Sequence, residues 1–207
     1  MIRENLDIYL LDINLEDEDS GVFAVSLVKN PAIKKSFQAF SENKQQRFTA
    51  DPSRRIISGA IMIPDELILR GEKDEQGKLH EYYVTFTADS ISKIAQKFFK
   101  NQFVTEVTLE HKAKVDGVYM FESLLIDASR GITAPTGYGL KDGAWWGSWK
   151  VDNDKVWDEY INEGIFTGFS VEGLFKHIPL DKKSSYKNQL YSEIIDLIDQ
   201  AIANGTK

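Results

Sequence analysis

The sequence predicts a mainly β protein: a closed or nearly closed sheet with helices packed outside it. Three observations carry that expectation. About eight stretches alternate or concentrate apolar residues and end in Gly, Pro, Asp or Asn, as strands do. Only three segments repeat apolar residues at helical spacing. The strands dominate the middle of the chain, and strands there with few helices suit a sheet curled on itself.

In chain order, 6–15 and 22–28 read as strands around the acidic turn 16–21. Residues 34–55 are polar, with Phe37, Phe40 and Phe48 scattered through them, and read as a surface arm or loop. An apolar strand over 56–63 stops at Pro64-Asp65. The segment 71–78, GEKDEQGK, is a solvated turn leading to a strand over 81–87. Asp89 then caps a helix to about Asn101, with Ile91, Ile94, Ala95 and Phe98 on its buried stripe. In 103–112 the alternation places Phe103, Thr105, Val107, Leu109 and His111 on one face. In 117–127 it places Val118, Met120, Glu122, Leu124 and Ile126 together, so a carboxylate stands among apolar side chains and needs a partner. Residues 129–141 read as a mobile loop.

The most informative stretch is 143–176. Trp145, Trp146 and Trp149 crowd a strand, and Trp157 lies on a helix capped by Asp152 or Asn153 and ended by Gly164. Then comes Gly168-Phe169-Ser170-Val171-Glu172-Gly173, a small polar residue in an apolar strand between glycines. Glycine inside a strand marks a close approach by backbone or ligand. That strand is expected to run to about Ile178. Ser184 or Ser185 opens a final amphipathic helix carrying Leu190, Ile194, Leu197 and Ile198. The domain reading is one β-barrel domain over 1–179, including the arm, followed by the helical segment 180–207.

Composition bounds the function. With 42% hydrophobic residues the chain can bury a real core. A net charge of -7 argues against a nucleic-acid partner, which usually selects a basic face. No apolar run approaches the ~20 residues of a membrane helix, and the charged N-terminus lacks a signal-peptide core. Cysteine is absent, which excludes thiol chemistry and fits a reducing compartment. There is no HExxH, CxxC or phosphate loop, so no metal and no cofactor is expected.

Serine chemistry remains. Serine needs a base, and histidine is the usual one because it titrates near neutrality. The chain has three histidines. His177 would lie roughly 23 Å from Ser170 along an unbroken strand, on its opposite face, at ~3.3 Å per residue. His80 sits beside an acidic turn. His111 ends a strand on the core-facing side and is the best candidate. A base also needs an orienting partner. Glu122 would supply it if 103–112 and 117–127 form an antiparallel hairpin; Glu172, two residues past Ser170, and His80 are the rivals. The plain alternatives are a serine kept small for packing and a satisfied core histidine.

These residues resemble a family. Trp149 to Trp157, Ile161 to Gly164 and the GFSVEG run look like the tailed-phage prohead maturation proteases, in particular the XkdF-like group. Leu109-Glu110-His111 resembles their strand-end histidine and Phe121-Glu122-Ser123 the pair that follows it. Gly21 to Ala32 resembles their V-S-L-V-x-x-P-A element. In many members that element follows the serine and an acid precedes the V-S-L-V run; here it is N-terminal, and Ala24 stands in the acid's slot.

The resemblance implies a herpesvirus-protease-like β-barrel surrounded by helices. It implies a serine endopeptidase that trims scaffold and major capsid proteins, and can trim itself, inside the procapsid in the host cytoplasm. Ser170 would be the nucleophile, His111 the base and Glu122 the favoured third member. Backbone N–H groups would hold the oxyanion, and the loop 129–141, with Arg130, would contact substrate. A homodimer is expected by the same analogy, with no nucleic-acid or membrane partner. The alternative reading is a catalytically inactive head-assembly protein on the same fold that binds scaffold or capsid peptides.

Overall fold

The computed structural model describes residues 6–31 and 48–180. The helix expected after 180 and the arm up to residue 47 lie outside the described residues. Among the described residues twelve strands form three four-stranded sheets. They are β1 (Asp7–Asp12), β2 (Gly21–Val28), β3 (Thr49–Asp51), β4 (Ile56–Met62), β5 (Ile68–Lys73) and β6 (Leu79–Thr85). After the main helix come β7 (Val107–Leu109), β8 (Ala113–Lys114), β9 (Val118–Leu125), β10 (Trp145–Val151), β11 (Gly168–Leu174) and β12 (Lys176–Leu180).

The first sheet runs β12-β1-β6-β5, the second β3-β4-β10-β9 and the third β11-β2-β7-β8. Pairings are antiparallel except β1 with β6 and β2 with β7. The molecule is mainly β, as expected, but the barrel is not found. Among the described residues each sheet ends in strands that make no further ladder, so the sheets are not closed into a barrel. The chain also departs from the expected strands at one point. The strand expected over 168–178 breaks at Phe175; β11 stays in the third sheet and β12 joins the first. A single strand thus becomes a link between two sheets.

Helix α1 (Ala88–Lys100) starts at Thr87, whose hydroxyl accepts from the Ser90 N–H at 3.1 Å. The cap is therefore two residues before Asp89, which takes a first-turn position suited to an acid. Its buried stripe of Ile91, Ile94, Ala95 and Phe98 is the expected one. Helix α2 (Asp154–Val156), capped by the Asn153 side chain, continues as one π turn over Trp157–Ile161. Gly164, at φ +64°, ends that segment in the left-handed region that favours glycine.

The core lies between the sheets and α1. Trp145 and Trp149 are fully buried from β10; Trp145 meets Phe98 of α1 at 5.4 Å, and Trp149 meets Phe169 of β11 at 4.1 Å. Burying such rings contributes roughly 2–3 kcal/mol each. A smaller cluster on the other face of the second sheet joins Trp146, Ala60, Ile63, Ile126, Leu140 and Ala144.

Two expected strands differ in ways that matter for the site. In 103–112 only Val107–Leu109 is extended, because Phe103–Thr105 forms a 3₁₀ turn. The stretch 117–127 pairs with β10, not with 103–112, so the expected hairpin does not form. Within β9, Ser148 pairs with Glu122 but Trp149 pairs with Met120, leaving Phe121 as an extra residue. That bulge reverses the alternation. Met120 faces the core, Phe121 and Glu122 are both exposed, and Ser123 turns inward to accept the Trp145 indole N–H at 2.9 Å.

Candidate active site

The alternation along β11 sends Phe169 and Val171 into the core and leaves Ser170 and Glu172 on the opposite face. Phe169 anchors this orientation by packing between Trp149 and Phe48. The flanking glycines have a structural reason. A Cβ on Gly168 would come within 2.7 Å of the Pro31 ring, and one on Gly173 within 2.4 Å of the Gly21 carbonyl oxygen. The close approach expected from the glycines is made by the chain's own N-terminal element.

Across the third sheet Ser170 stands directly opposite Ser26 of β2, and Ser26 opposite Thr108 of β7. Side chains in direct register share a face. The three hydroxyl residues therefore form one row, with Glu172 beside it.

Beyond Leu109 the chain reverses sharply. Glu110 and His111 have φ of 50° and 58°, and the Lys112 N–H donates to the Leu109 carbonyl at 3.0 Å. Positive φ at both central positions is a type I′ turn, which favours Asn and Gly and strains other residues. The turn is braced by β2: the Glu110 N–H donates to the Leu27 carbonyl at 3.0 Å, and the Lys29 N–H donates to the Glu110 carboxylate at 2.6 Å. The His111 N–H donates to Ser26 Oγ at 2.9 Å. His111 therefore does not continue the strand on the core face, as alternation suggested. The turn carries it across to the hydroxyl row.

There His111 Nδ1 lies 3.3 Å from Glu172 Oε1, and Thr108 Oγ1 donates a short hydrogen bond to the same oxygen. The Glu172 side chain is mostly enclosed at 19% exposure, whereas His111 remains open at 43%. At 3.3 Å the pair is an ion-pair contact; a hydrogen bond closing it would put the proton on Nδ1 and leave the Nε2 lone pair as a base. Ser170 is 8% exposed, and its Oγ hydrogen-bonds to no described residue, His111 included.

The remaining candidates lie elsewhere. Glu122 is exposed on the second sheet, opposite Ser148, where it borders an open depression of about 340 Å³ with Thr49 and Ser58. The bulge at Phe121 and the pairing of β9 with β10 separate it from His111, so the carboxylate beside the histidine is Glu172, not Glu122. His80, in the first sheet, is held by Asp74 at 2.9 Å. His177 packs against Tyr9 and Tyr82 in the same sheet. Arg130 and Ile132, from the loop expected to meet substrate, border a separate depression with Phe99 and Leu124. Tyr138 of that loop is tied down, donating to the Ser58 carbonyl at 2.6 Å.

Ala24 stands directly opposite Glu172. A carboxylate therefore stands on the strand adjoining the Ala24 position. Sequence reasoning missed Thr108 and Ser26. The signal available was Ser26 itself, a polar residue inside the apolar run Val25-Ser26-Leu27-Val28.

Among the described residues no group of three or more His, Asp or Glu side chains could hold a metal ion, and no helix is long and apolar enough to cross a membrane. The family model described as "Putative phage serine protease XkdF" matches residues 45–179. No curated protein and no solved structure matches the chain.

Proposed function

Because this chain belongs to the phage serine protease family of the XkdF type, we propose that it is a serine endopeptidase of head assembly using Ser170, His111 and Glu172. The observation that carries the reading is the His111–Glu172 contact, made on the same sheet face as Ser170.

Each residue has one task. His111 Nε2 takes the Ser170 proton as Oγ attacks the peptide carbonyl carbon. The tetrahedral intermediate collapses, and the imidazolium returns that proton to the departing amine. Water then attacks the acyl-serine, again deprotonated by His111, and release of the acid regenerates the hydroxyl. Glu172 stabilises the imidazolium and fixes the tautomer, while Thr108 steadies Glu172. The chemistry needs no cofactor.

Scaffold and major capsid proteins are the proposed substrates, with self-cleavage within the same activity. The proposed setting is the assembling procapsid in the host cytoplasm, with a homodimer as the proposed assembly. Purified protein incubated with the scaffold or capsid chain tests the reading, wild type beside Ser170→Ala. Processing by wild type and none by the variant is the expected result. Equal behaviour of the two would overturn it and leave the inactive peptide-binding head protein as the better description.

A further inference from the structure

We infer that Ser26 is a positioning residue for the base: its hydroxyl holds the His111 turn over the sheet and so maintains the His111–Glu172 contact. The inference rests on the protease reading for its consequence, but its structural basis is independent. Ser26 is fully buried, at 0% exposure, in a strand whose neighbours are Ala24, Val25, Leu27 and Val28. An alanine there would satisfy packing, so the buried hydroxyl calls for a reason.

Both of its hydrogen-bonding roles are used at the turn. Ser26 Oγ accepts the His111 N–H at 2.9 Å and donates to the Thr108 carbonyl at 3.4 Å. The hydroxyl therefore joins the residue bearing the base to the residue whose side chain holds Glu172. Its position opposite Ser170 places this link one strand away from the proposed nucleophile.

The turn needs such an anchor. Consecutive left-handed φ values at Glu110 and His111 are strained for residues with a Cβ and persist where surrounding contacts over-determine them. Two of the braces act on Glu110. The bond to Ser26 is the one from β2 that fixes the His111 backbone itself. The same engagement separates the two serines chemically. Ser26 already has its partners and is sealed from solvent, whereas the Ser170 hydroxyl is uncommitted among the described residues.

The test uses the full chain as wild type, Ser26→Ala and Ser26→Cys, the last filling the space with a poor acceptor. Three quantities are read: amide exchange at His111, the ring tautomer from long-range proton–nitrogen correlation spectra, and the rate at which a fluorophosphonate phosphonylates Ser170 with loss of fluoride. The expected result is His111 amide exchange about tenfold or more faster in both variants. The Nδ1-protonated tautomer loses population, and phosphonylation slows about tenfold with the saturating reagent concentration unchanged. Wild-type exchange, tautomer and phosphonylation rate in Ser26→Ala and Ser26→Cys would overturn the inference. A wild-type chain that the reagent does not modify would count against the protease reading, while exchange and tautomer would still decide the role of Ser26.

Discussion

At the scale of single residues, the account depends on which acid meets His111. Glu172 touches Nδ1 at 3.3 Å and is held by Thr108; Glu122 lies on another sheet. Glu172→Gln keeps the shape and removes the charge, so turnover of the scaffold or capsid substrate is expected to fall roughly a hundredfold or more. Glu122→Gln and His80→Gln are expected to stay within about twofold, as surface changes away from the reacting atoms do. A Glu122→Gln loss equal to that of Glu172→Gln would contradict the assignment. Ser170 and His111 could be singled out in the sequence because a serine nucleophile needs a base, and two of the three histidines had poor positions. Glu172 entered only as a rival acid. The preference for Glu122 assumed a hairpin of 103–112 with 117–127 and unbroken alternation; β9 pairs with β10 instead, and the extra residue at Phe121 breaks the alternation. Nothing in the residue types around Phe121 announces a bulge.

At the scale of elements, the serine strand owes its shape to its glycines and its neighbour. Gly173 lies at the β11 bulge, where the pairing shifts between Glu172 and Gly173 and a Cβ would meet the Gly21 carbonyl at 2.4 Å. That obstacle is backbone and cannot rotate away. Gly173→Ala is expected to cost about 1–3 kcal/mol, read as a lower denaturant midpoint. An unchanged midpoint would show that the bulge is not tight.

The β3–β4 connection gives a pH test. Asp51 is held down to about 2 by hydrogen bonds from Ser53 and Arg54, Ser53 first. A carboxyl lowered on folding adds stability above its unfolded value of about 3.8, and that stability is lost as pH falls through about 2. Carboxyl carbon titration is expected to place Asp51 near 2, and Ser53→Ala to move it upward. An unmoved midpoint would remove Ser53 as the cause. Helix α1 was readable from its stripe almost to the residue, because a regular helix writes its period into the sequence. The break at Phe175 and the turn at His111 were not. Both depend on which sheet the chain joins next, a long-range matter.

At the scale of the molecule, the mainly β character and buried tryptophans were legible, since apolar alternation and aromatic crowding reflect burial directly. Closure was not legible. Each of the three sheets retains two unextended edges among the described residues, and local periodicity carries no information on that. The packing of Trp149 on Phe169, one residue before the proposed nucleophile, helps join the second and third sheets. Trp149→Ala is expected to cost about 3–5 kcal/mol by opening a cavity there. It should also slow Ser170 labelling by a fluorophosphonate more than Trp146→Ala does, because Trp146 packs in the smaller cluster on the opposite face. Equal labelling rates in the two variants would separate the interface from the site.

The central claim is that one hydroxyl of this chain is made reactive by the His111–Glu172 pair. It is tested most directly by treating the intact protein with a fluorophosphonate, digesting it, and locating the adduct by mass spectrometry. The account predicts a single adduct on Ser170, abolished by His111→Ala. An adduct on Ser26 or another serine, or one on Ser170 that forms equally well without His111, would contradict it.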